Sequence, residues 1–206
     1  MPFNLTPPPK AKKLDDRPYR SLTTVDDVLA IAAALRDADI PFHLHGGWAL
    51  AGLSGTTFQS SDIDLFIPYS SRPDVEHHFG ALIQAQTRQR IMLNFHGAVV
   101  EISFLTPMRH NRWAMDYGIK IWIIPGEELN GHTVTLANVV IPSVSPAFMM
   151  AETTNTVAKA PKDLKKREDR LPFLEANVSE ADKMRSRALW PIPGSFFARL
   201  RLALLH

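Results

Sequence analysis

Two short segments organise this chain: residues 44–50, LHGGWAL, and residues 61–67, SDIDLFI. The second segment alternates polar and apolar side chains, which predicts a strand from Asp62 to Ile67 with one buried face. In the first segment a pair of glycines separates a predicted strand, residues 42–45, from a predicted short helix, residues 48–53. The sequence therefore predicts two strands that flank a glycine turn and a helix.

Asp62 and Asp64 are two positions apart on the predicted strand, so both side chains leave the same face of it. Two carboxylates held a few ångströms apart repel each other, and a divalent cation that binds both relieves the repulsion. Mg²⁺ favours sites of this kind, where one or two carboxylates, water and phosphate oxygens surround it. The alternative is the solvated edge of a half-exposed strand, where paired aspartates are common.

Two glycines and a glutamate are further candidates for the same site. Gly46 and Gly47 allow a ligand to approach the backbone closely, and the N–H groups that start the following helix attract anions. The alternative for this pair is a tight turn that needs only positive φ. Glu101 lies in a predicted strand, residues 98–104, on the face opposite the apolar side chains that we take as core. A carboxylate there needs a partner, so Glu101 completes a three-acid cluster if its strand lies beside the aspartate strand; otherwise its face is exposed.

The remaining pattern predicts an α+β fold, in which helices flank a mixed β-sheet and a helical region follows it. We predict a flexible arm over residues 1–20, a core over residues 21–145 and a C-terminal helical region over residues 146–206. Further strands are predicted at residues 90–95, 98–104, 119–124 and in a pair around 133–140. Helices are predicted at residues 25–38, 73–86, 147–158, 163–176 and 195–205.

The composition limits the classes of site and partner. The 206 residues contain no cysteine, which rules out disulfides, thiolate nucleophiles and cysteine-based zinc sites. The formal net charge of +2 argues against a nucleic-acid partner without excluding one, because such a partner usually needs a basic stripe. No apolar run has the length of a membrane span and the N-terminus lacks a signal peptide, so we expect a cytoplasmic protein with no membrane partner.

The combination of Gly-Gly-Trp-Ala, a loop, and Ser-Asp-Ile-Asp-Leu resembles the signature of the DNA polymerase beta nucleotidyltransferase superfamily. Within that superfamily the sequence is most similar to the small aminoglycoside and lincosamide nucleotidyltransferases, over residues 24–105. The resemblance implies a nucleotidyltransferase fold and a Mg²⁺-dependent reaction, with Mn²⁺ as an alternative metal. In that reaction an NMP, taken as AMP, passes from an NTP to a hydroxyl of a small polar acceptor such as an antibiotic, and pyrophosphate is released.

The resemblance also implies roles for individual residues. Asp62, Asp64 and Glu101 would be the catalytic acids and the metal ligands. Asp62 and Asp64 would bind one or two Mg²⁺ ions, and Glu101 would either share the second ion or accept the proton of the acceptor hydroxyl. The third acid of the family is usually Asp, which makes Asp116 a substitute for Glu101. The nucleotide would be bound by a set of small and basic residues: Gly46, Gly47, Ser61, Lys165, Lys166 and Arg167. The basic residues follow the family's late helix only loosely, and a solvated helix face is an equally good interpretation of them.

Two other functions fit the same residues. The acceptor could be a macromolecule, tRNA or protein, as in toxin-type nucleotidyltransferases, and the lysine-rich segments suggest this. The chain could instead be a nucleotide-binding relative without turnover, because its third acid and its C-terminal pattern depart from the family. His43 and His45 could form a metal pair, although hydrogen-bonded strand residues are the better interpretation. No motif selects the acceptor, the base of the NTP or the oligomeric state.

Overall fold

The computed structural model describes residues 22–56, 60–118, 120–155 and 161–195. The described residues contain six α-helices: α1 Val25–Asp37, α2 Gly46–Ser54, α3 Arg72–Phe79, α4 Pro146–Thr154, α5 Pro161–Asn177 and α6 Glu180–Ala188. They contain ten strands: β1 His43–His45, β2 Asp62–Pro68, β3 Ile83–Gln86, β4 Arg90–Phe95, β5 Ala98–Met108, β6 Arg112–Asp116, β7 Lys120–Pro125, β8 Thr133–Leu136, β9 Val139–Pro142 and β10 Ile192–Pro193. The predicted arm and nearly all of the predicted last helix lie outside the described residues. None of the described helices is both long and apolar enough to cross a bilayer.

Eight of these strands form one mixed sheet. Its main path runs β1-β2-β5-β6-β7-β10, while β4 pairs with β5 and β3 pairs with β4. β2 and β5 are parallel, and the other strand pairs described in the sheet are antiparallel. β8 and β9 form a separate hairpin. The predicted α+β class with a mixed sheet is therefore confirmed.

Helix α1 shows how the local sequence sets the boundary of an element. The Thr24 hydroxyl accepts a hydrogen bond from the Asp27 N–H, and the Asp27 carboxylate accepts one from the Thr24 N–H, which forms a capping box. Val28, Ile31 and Leu35 recur at helical spacing and are buried in the core. This cap and this apolar stripe are the signals that predicted the helix from the sequence.

The C-terminal helices pack onto the same hydrophobic core as the sheet. Phe148 of α4 makes edge contacts with Phe66 of β2 and Trp122 of β7, with ring centroids 5.8 Å and 5.2 Å apart. Leu174 of α5 and Leu189, which follows α6, belong to the same buried cluster. Because Phe66 is two residues from Asp64, its face of β2 is the aspartate face. The packing therefore brings α4 over that face.

One predicted helix, residues 73–86, is wrong in its second half. Helix α3 ends at Phe79, and Ile83–Gln86 forms β3 against β4. The apolar residues of α3 suit a helix, whereas the sequence from Ile83 alternates apolar and polar side chains, which suits a strand. Strand β6 and helix α6 have no counterpart in the prediction, although Ser179 caps α6 in the usual way.

Candidate active site

The register of three strands places chemically active residues in one row across the sheet. Asp64 on β2 is the direct Cα partner of His45 on antiparallel β1 and of Glu101 on parallel β5. Directly paired residues on neighbouring strands project from the same face. Asp62, two residues before Asp64, projects from that face as well. This face of the sheet therefore carries two aspartates between a histidine and a glutamate.

The Asp64 carboxylate is buried beside other acids. Burial raises its pKa to about 6, and the negative charges of Asp62 and Glu152 add to the shift. His45 and Arg170 oppose it without cancelling it. A divalent cation between the two aspartates would remove this repulsion, so the donor set fits Mg²⁺ or Mn²⁺.

Glu101 is already paired with a cation from the protein. Its carboxylate forms an ion pair with the guanidinium of Arg90 on β4, and the two side chains are 20% and 40% exposed. Asp116, the substitute third acid, lies at the end of β6 and accepts a hydrogen bond from the Gly118 N–H at 2.6 Å. Within the part of the chain that the structure describes, no three His, Asp or Glu side chains are grouped so as to hold a metal ion. The fold thus places Asp62 and Asp64 on one face of β2, while the predicted third acid, Glu101, forms an ion pair with an arginine.

Each glycine of the Gly-Gly pair makes room for a different side chain. Gly46 has a φ of +67°, and a Cβ on it would overlap the Asp64 carboxylate. A Cβ on Gly47 would lie 2.9 Å from Arg170 Nη2 and 3.0 Å from Ser60 Oγ. Helix α2 begins at Gly46 itself, two residues earlier than predicted. Its first N–H groups, which have no partner inside the helix, therefore start next to Asp64.

His45 forms an ion pair with Glu152 of α4, in which Nδ1 donates to Glu152 Oε1 over 3.2 Å. His45 is 3% exposed, and its ring stacks on Phe66 with centroids 3.7 Å apart. Burial lowers the pKa of His45, but the charge and hydrogen bond of Glu152 outweigh it, so the net shift is upward. Burial raises the pKa of Glu152, yet the charge and hydrogen bond of His45 leave it below its usual value. Both groups are therefore held in their charged forms beside Asp64.

A cavity of about 140 Å³ lies against Asp64. Its walls come from β1, α2, β2, the turn before β7, α4 and α5, and are polar for the most part; they include His45, Gly46, Asp64, Tyr117, Glu152 and Arg170. The cavity thus combines two carboxylates with a guanidinium and a helix N-terminus. The guanidinium and the helix N-terminus suit an anionic phosphate chain, and the carboxylates suit a metal ion bound to that chain.

Helix α5 carries the basic residues that the sequence predicts to bind phosphate, Lys165, Lys166 and Arg167. The basic residue of this helix that lines the cavity is a different one, Arg170. Arg170 lines the cavity, whereas Lys165 is exposed and Arg167 is half-buried. The side chain of Lys166 lies outside the described residues. Arg170 follows Arg167 by three positions, so helical spacing was the one sequence signal that could have identified it.

The polar residues around the aspartates also differ from the prediction in detail. Ser61 is exposed at the start of β2, whereas its neighbour Ser60 is buried and donates its hydroxyl to Asp62 Oδ1 over 3.2 Å. Glu152 and Tyr117 had no sequence signal, because both are far from the aspartates along the chain. Only the packing of α4 and of the turn before β7 brings them to the cavity.

Several solved structures resemble this one. The solution structure of the antibiotic-resistance factor ANT(2'')-Ia has a TM-score of 0.58 at 15% identity, and the match covers 87% of this chain and 94% of that one. The crystal structure of ANT(2'')-Ia with adenylyl-2''-tobramycin has a TM-score of 0.59 at 15% identity, with 80% and 97% covered. The lincosamide antibiotic adenylyltransferase LnuA, bound to lincomycin, has a TM-score of 0.57 at 13% identity, with 71% and 98% covered.

The chain has a nucleotidyltransferase fold. The likeness to small antibiotic nucleotidyltransferases that the sequence predicts is confirmed at the level of the fold. No protein-family model matches the sequence, and no curated protein matches it either. The chemistry of this nucleotidyltransferase-fold protein therefore rests on its own residues.

Proposed function

We propose that this chain is a Mg²⁺-dependent nucleotidyltransferase that moves an NMP, AMP in the first instance, from an NTP to a hydroxyl of a small polar acceptor such as an antibiotic. The observation that carries the proposal is the Asp62–Asp64 pair set against Gly46. There the backbone leaves no space for a side chain beside the Asp64 carboxylate, and α2 begins. A paired-carboxylate metal site next to a helix N-terminus suits a metal-bound triphosphate.

Asp62 and Asp64 would hold the metal ion, because their side chains leave the same face of β2 and the Asp64 carboxylate packs against Gly46 at the start of α2. Bound Mg²⁺ would neutralise charge on the phosphates and make the α-phosphorus more electrophilic. Arg170 would bind phosphate oxygens as a permanent cation, since its guanidinium lies against Gly47 and lines the cavity. The N–H groups at the start of α2 would add further donors.

The reaction forms one P–O bond and breaks another. The acceptor hydroxyl oxygen attacks the α-phosphorus in line, the bond from that phosphorus to the bridging oxygen of the β-phosphate breaks, and pyrophosphate leaves. The hydroxyl proton passes to water as the new P–O bond forms. The protein contributes mainly by positioning the two reactants.

The acceptor side of the proposal rests on the cavity and on the structural neighbours. Glu152 and Thr153 of α4 line the cavity beside Asp64, and their polar side chains suit a polar acceptor that carries hydroxyl or amino groups. The neighbours are the antibiotic-resistance factor ANT(2'')-Ia, seen with adenylyl-2''-tobramycin, and the lincosamide antibiotic adenylyltransferase LnuA, seen with lincomycin. These molecules are the first acceptors to test.

Product formation tests the proposal directly. The protein is incubated with Mg²⁺, each of the four NTPs and a panel of aminoglycosides and lincosamides, and mass spectrometry searches for an acceptor that has gained one NMP. Wild type and Asp116→Asn should form product together with pyrophosphate, whereas Asp64→Asn should not. Product formation by Asp64→Asn at the wild-type rate would overturn the metal role.

The two rival functions give different results in a parallel incubation with labelled NTP and cell extract. A labelled tRNA or protein, with no modified small molecule, would favour a macromolecular acceptor. Metal-dependent binding of NTP with no transfer in either incubation would favour a nucleotide-binding protein without turnover.

A further inference from the structure

The ion pair between Arg90 and Glu101 lies at the edge of the candidate active site, on the strands next to the aspartate strand. On antiparallel β4 and β5, Arg90 is opposite Ser103, and its side chain reaches diagonally to the Glu101 carboxylate. Glu101 is in turn the direct Cα partner of Asp64. The Arg90 guanidinium is therefore ion-paired with the carboxylate of Glu101, which lies next to the aspartate pair.

Arg90 is held in this place by a second contact. Its guanidinium carbon lies 5.4 Å from the centre of the Tyr117 ring, and Tyr117 is one of the residues that line the cavity. A guanidinium over an aromatic face is attracted to the ring, and its planar shape suits a carboxylate as well. The two contacts fix the positive charge between the cavity wall and Glu101.

This charge changes how many metal ions the site needs. Asp62, Asp64 and Glu101 together carry three negative charges, which one divalent cation does not balance, but the Arg90 guanidinium already balances one of the three. A second divalent cation at Glu101 would have to displace the guanidinium and then sit beside it, which like-charge repulsion opposes. The described residues accordingly show no three-acid metal group.

We propose that Arg90 takes the place of a second metal ion, so that the site binds one divalent cation at Asp62 and Asp64 while the Arg90 guanidinium supplies the second positive charge at Glu101. The proposal rests on the proposed function, because it concerns the same site. Arg90 is in this account a charge-balancing and positioning residue, and Glu101 is not a metal ligand.

Counting bound Mn²⁺ tests the proposal. Free Mn²⁺ is measured by electron paramagnetic resonance while it is titrated into the full chain, with and without a non-hydrolysable NTP analogue. Wild type, alone or with one equivalent of the analogue, should bind one equivalent of Mn²⁺ in all, because the ion at Asp62 and Asp64 is the one that bridges to the triphosphate. Glu101→Gln should also bind one, with an affinity within about twofold of wild type. Arg90→Gln should gain a second equivalent, because it frees Glu101, whereas Arg90→Lys should remain at one because it keeps the charge.

Two results would overturn the proposal: two equivalents in wild type with one of them lost in Glu101→Gln, or a folded Arg90→Gln that still binds one. Should Arg90→Gln fail to fold, the comparison of wild type with Glu101→Gln decides by itself. Failure of the proposed function looks different. Wild type would then bind no Mn²⁺, or Asp64→Asn would bind as much of it as wild type does.

Discussion

At the scale of single residues, Gly46 is the tightest constraint in the site. Its φ of +67° suits glycine, and the position that a Cβ would take is filled by the Asp64 carboxylate. Gly55, at the end of α2, has a nearly identical φ of +66° but nothing within 4 Å of its Cβ position. Comparing an alanine at each position therefore distinguishes backbone strain, which both would have, from steric overlap with Asp64, which only position 46 would have.

Gly46→Ala should lower the free energy of unfolding by about 3 kcal/mol, because strain and overlap act together. Gly55→Ala should lower it by about 1 kcal/mol, from strain alone. Urea denaturation gives these energies, and calorimetric titration gives the Mn²⁺ affinity, which only Gly46→Ala should weaken. Equal losses in the two variants would show that Asp64 is not packed against Gly46.

The raised pKa of Asp64 predicts how its removal changes stability. The pKa rises from 3.8 to about 6 on folding, so the group stabilises the fold fully below 3.8 and that contribution is lost as pH rises through 6. Without metal, Asp64→Asn should therefore raise the Tm by about 3 °C near pH 8 and change it little near pH 4.

Thermal melts of wild type, Asp64→Asn and Asp116→Asn at both pH values measure this effect. Asp116→Asn is the matched control, because it makes the same chemical change at the end of β6. A Tm of Asp64→Asn below that of wild type near pH 8 would contradict the charge balance inferred for the site.

The residues of the site differ in how far the sequence could reveal them. Asp62 and Asp64 are two positions apart on one strand, and the two glycines are adjacent in the sequence. The arrangement of each pair could therefore be predicted from its spacing along the chain. Arg90 and Glu152 reach the same site through strand pairing and helix packing, and the spacing of the motifs does not encode those contacts.

At the scale of elements, α5 shows that the direction of a side chain decides its role. Lys165 and Arg170 lie on the same helix, but one is exposed and the other lines the cavity. The positive charge of this segment was evident from the sequence, whereas the orientation of the helix was not. The same limit explains the error after α3, where the sequence predicts a continued helix but Ile83–Gln86 forms a strand.

Arg170→Ala should weaken the binding of an NTP analogue with Mg²⁺ by about tenfold, because it removes charged hydrogen bonds to phosphate. Lys165→Ala on the same helix should leave the affinity unchanged. Calorimetric titration measures both, and a thermal melt checks that each variant is folded. Weaker binding in Lys165→Ala alone would reverse the assignment in favour of the residue predicted from the sequence.

At the scale of the whole molecule, the pair of His45 and Glu152 joins the first strand of the sheet to α4, with partners 107 residues apart. The helix is also anchored by Phe148 on Phe66. Together these contacts fix α4 over the aspartate face and form the cavity. The fold class and the location of the aspartates could be predicted from local patterns, but the cavity depends on this long-range closure.

Glu152→Gln should destabilise the protein by about 2 kcal/mol, because it leaves a buried His45 without its carboxylate. The contribution of His45, whose folded pKa lies above 6.5, is complete below 6.5 and is lost as pH rises through the folded value. That of Glu152, whose folded pKa lies below 4.5, is present above 4.5 and is lost as pH falls through the folded value. The difference from wild type should therefore be largest between about pH 4.5 and 6.5.

Urea denaturation of wild type and Glu152→Gln near pH 3, 5.5 and 9 measures this dependence. Glu175→Gln, at an exposed glutamate of α5, is the control and should follow wild type at each pH. A constant difference across the range would show that Glu152 acts by packing rather than by its charge.

The most direct test of the central claim is calorimetric titration of a non-hydrolysable NTP analogue into wild type and Asp64→Asn, with Mg²⁺ and then with EDTA in its place. If the aspartate pair holds a metal ion that bridges to the triphosphate, wild type binds the analogue only when Mg²⁺ is present and Asp64→Asn does not bind it. Equal affinity in the two proteins, or wild-type binding that survives EDTA, would contradict that claim.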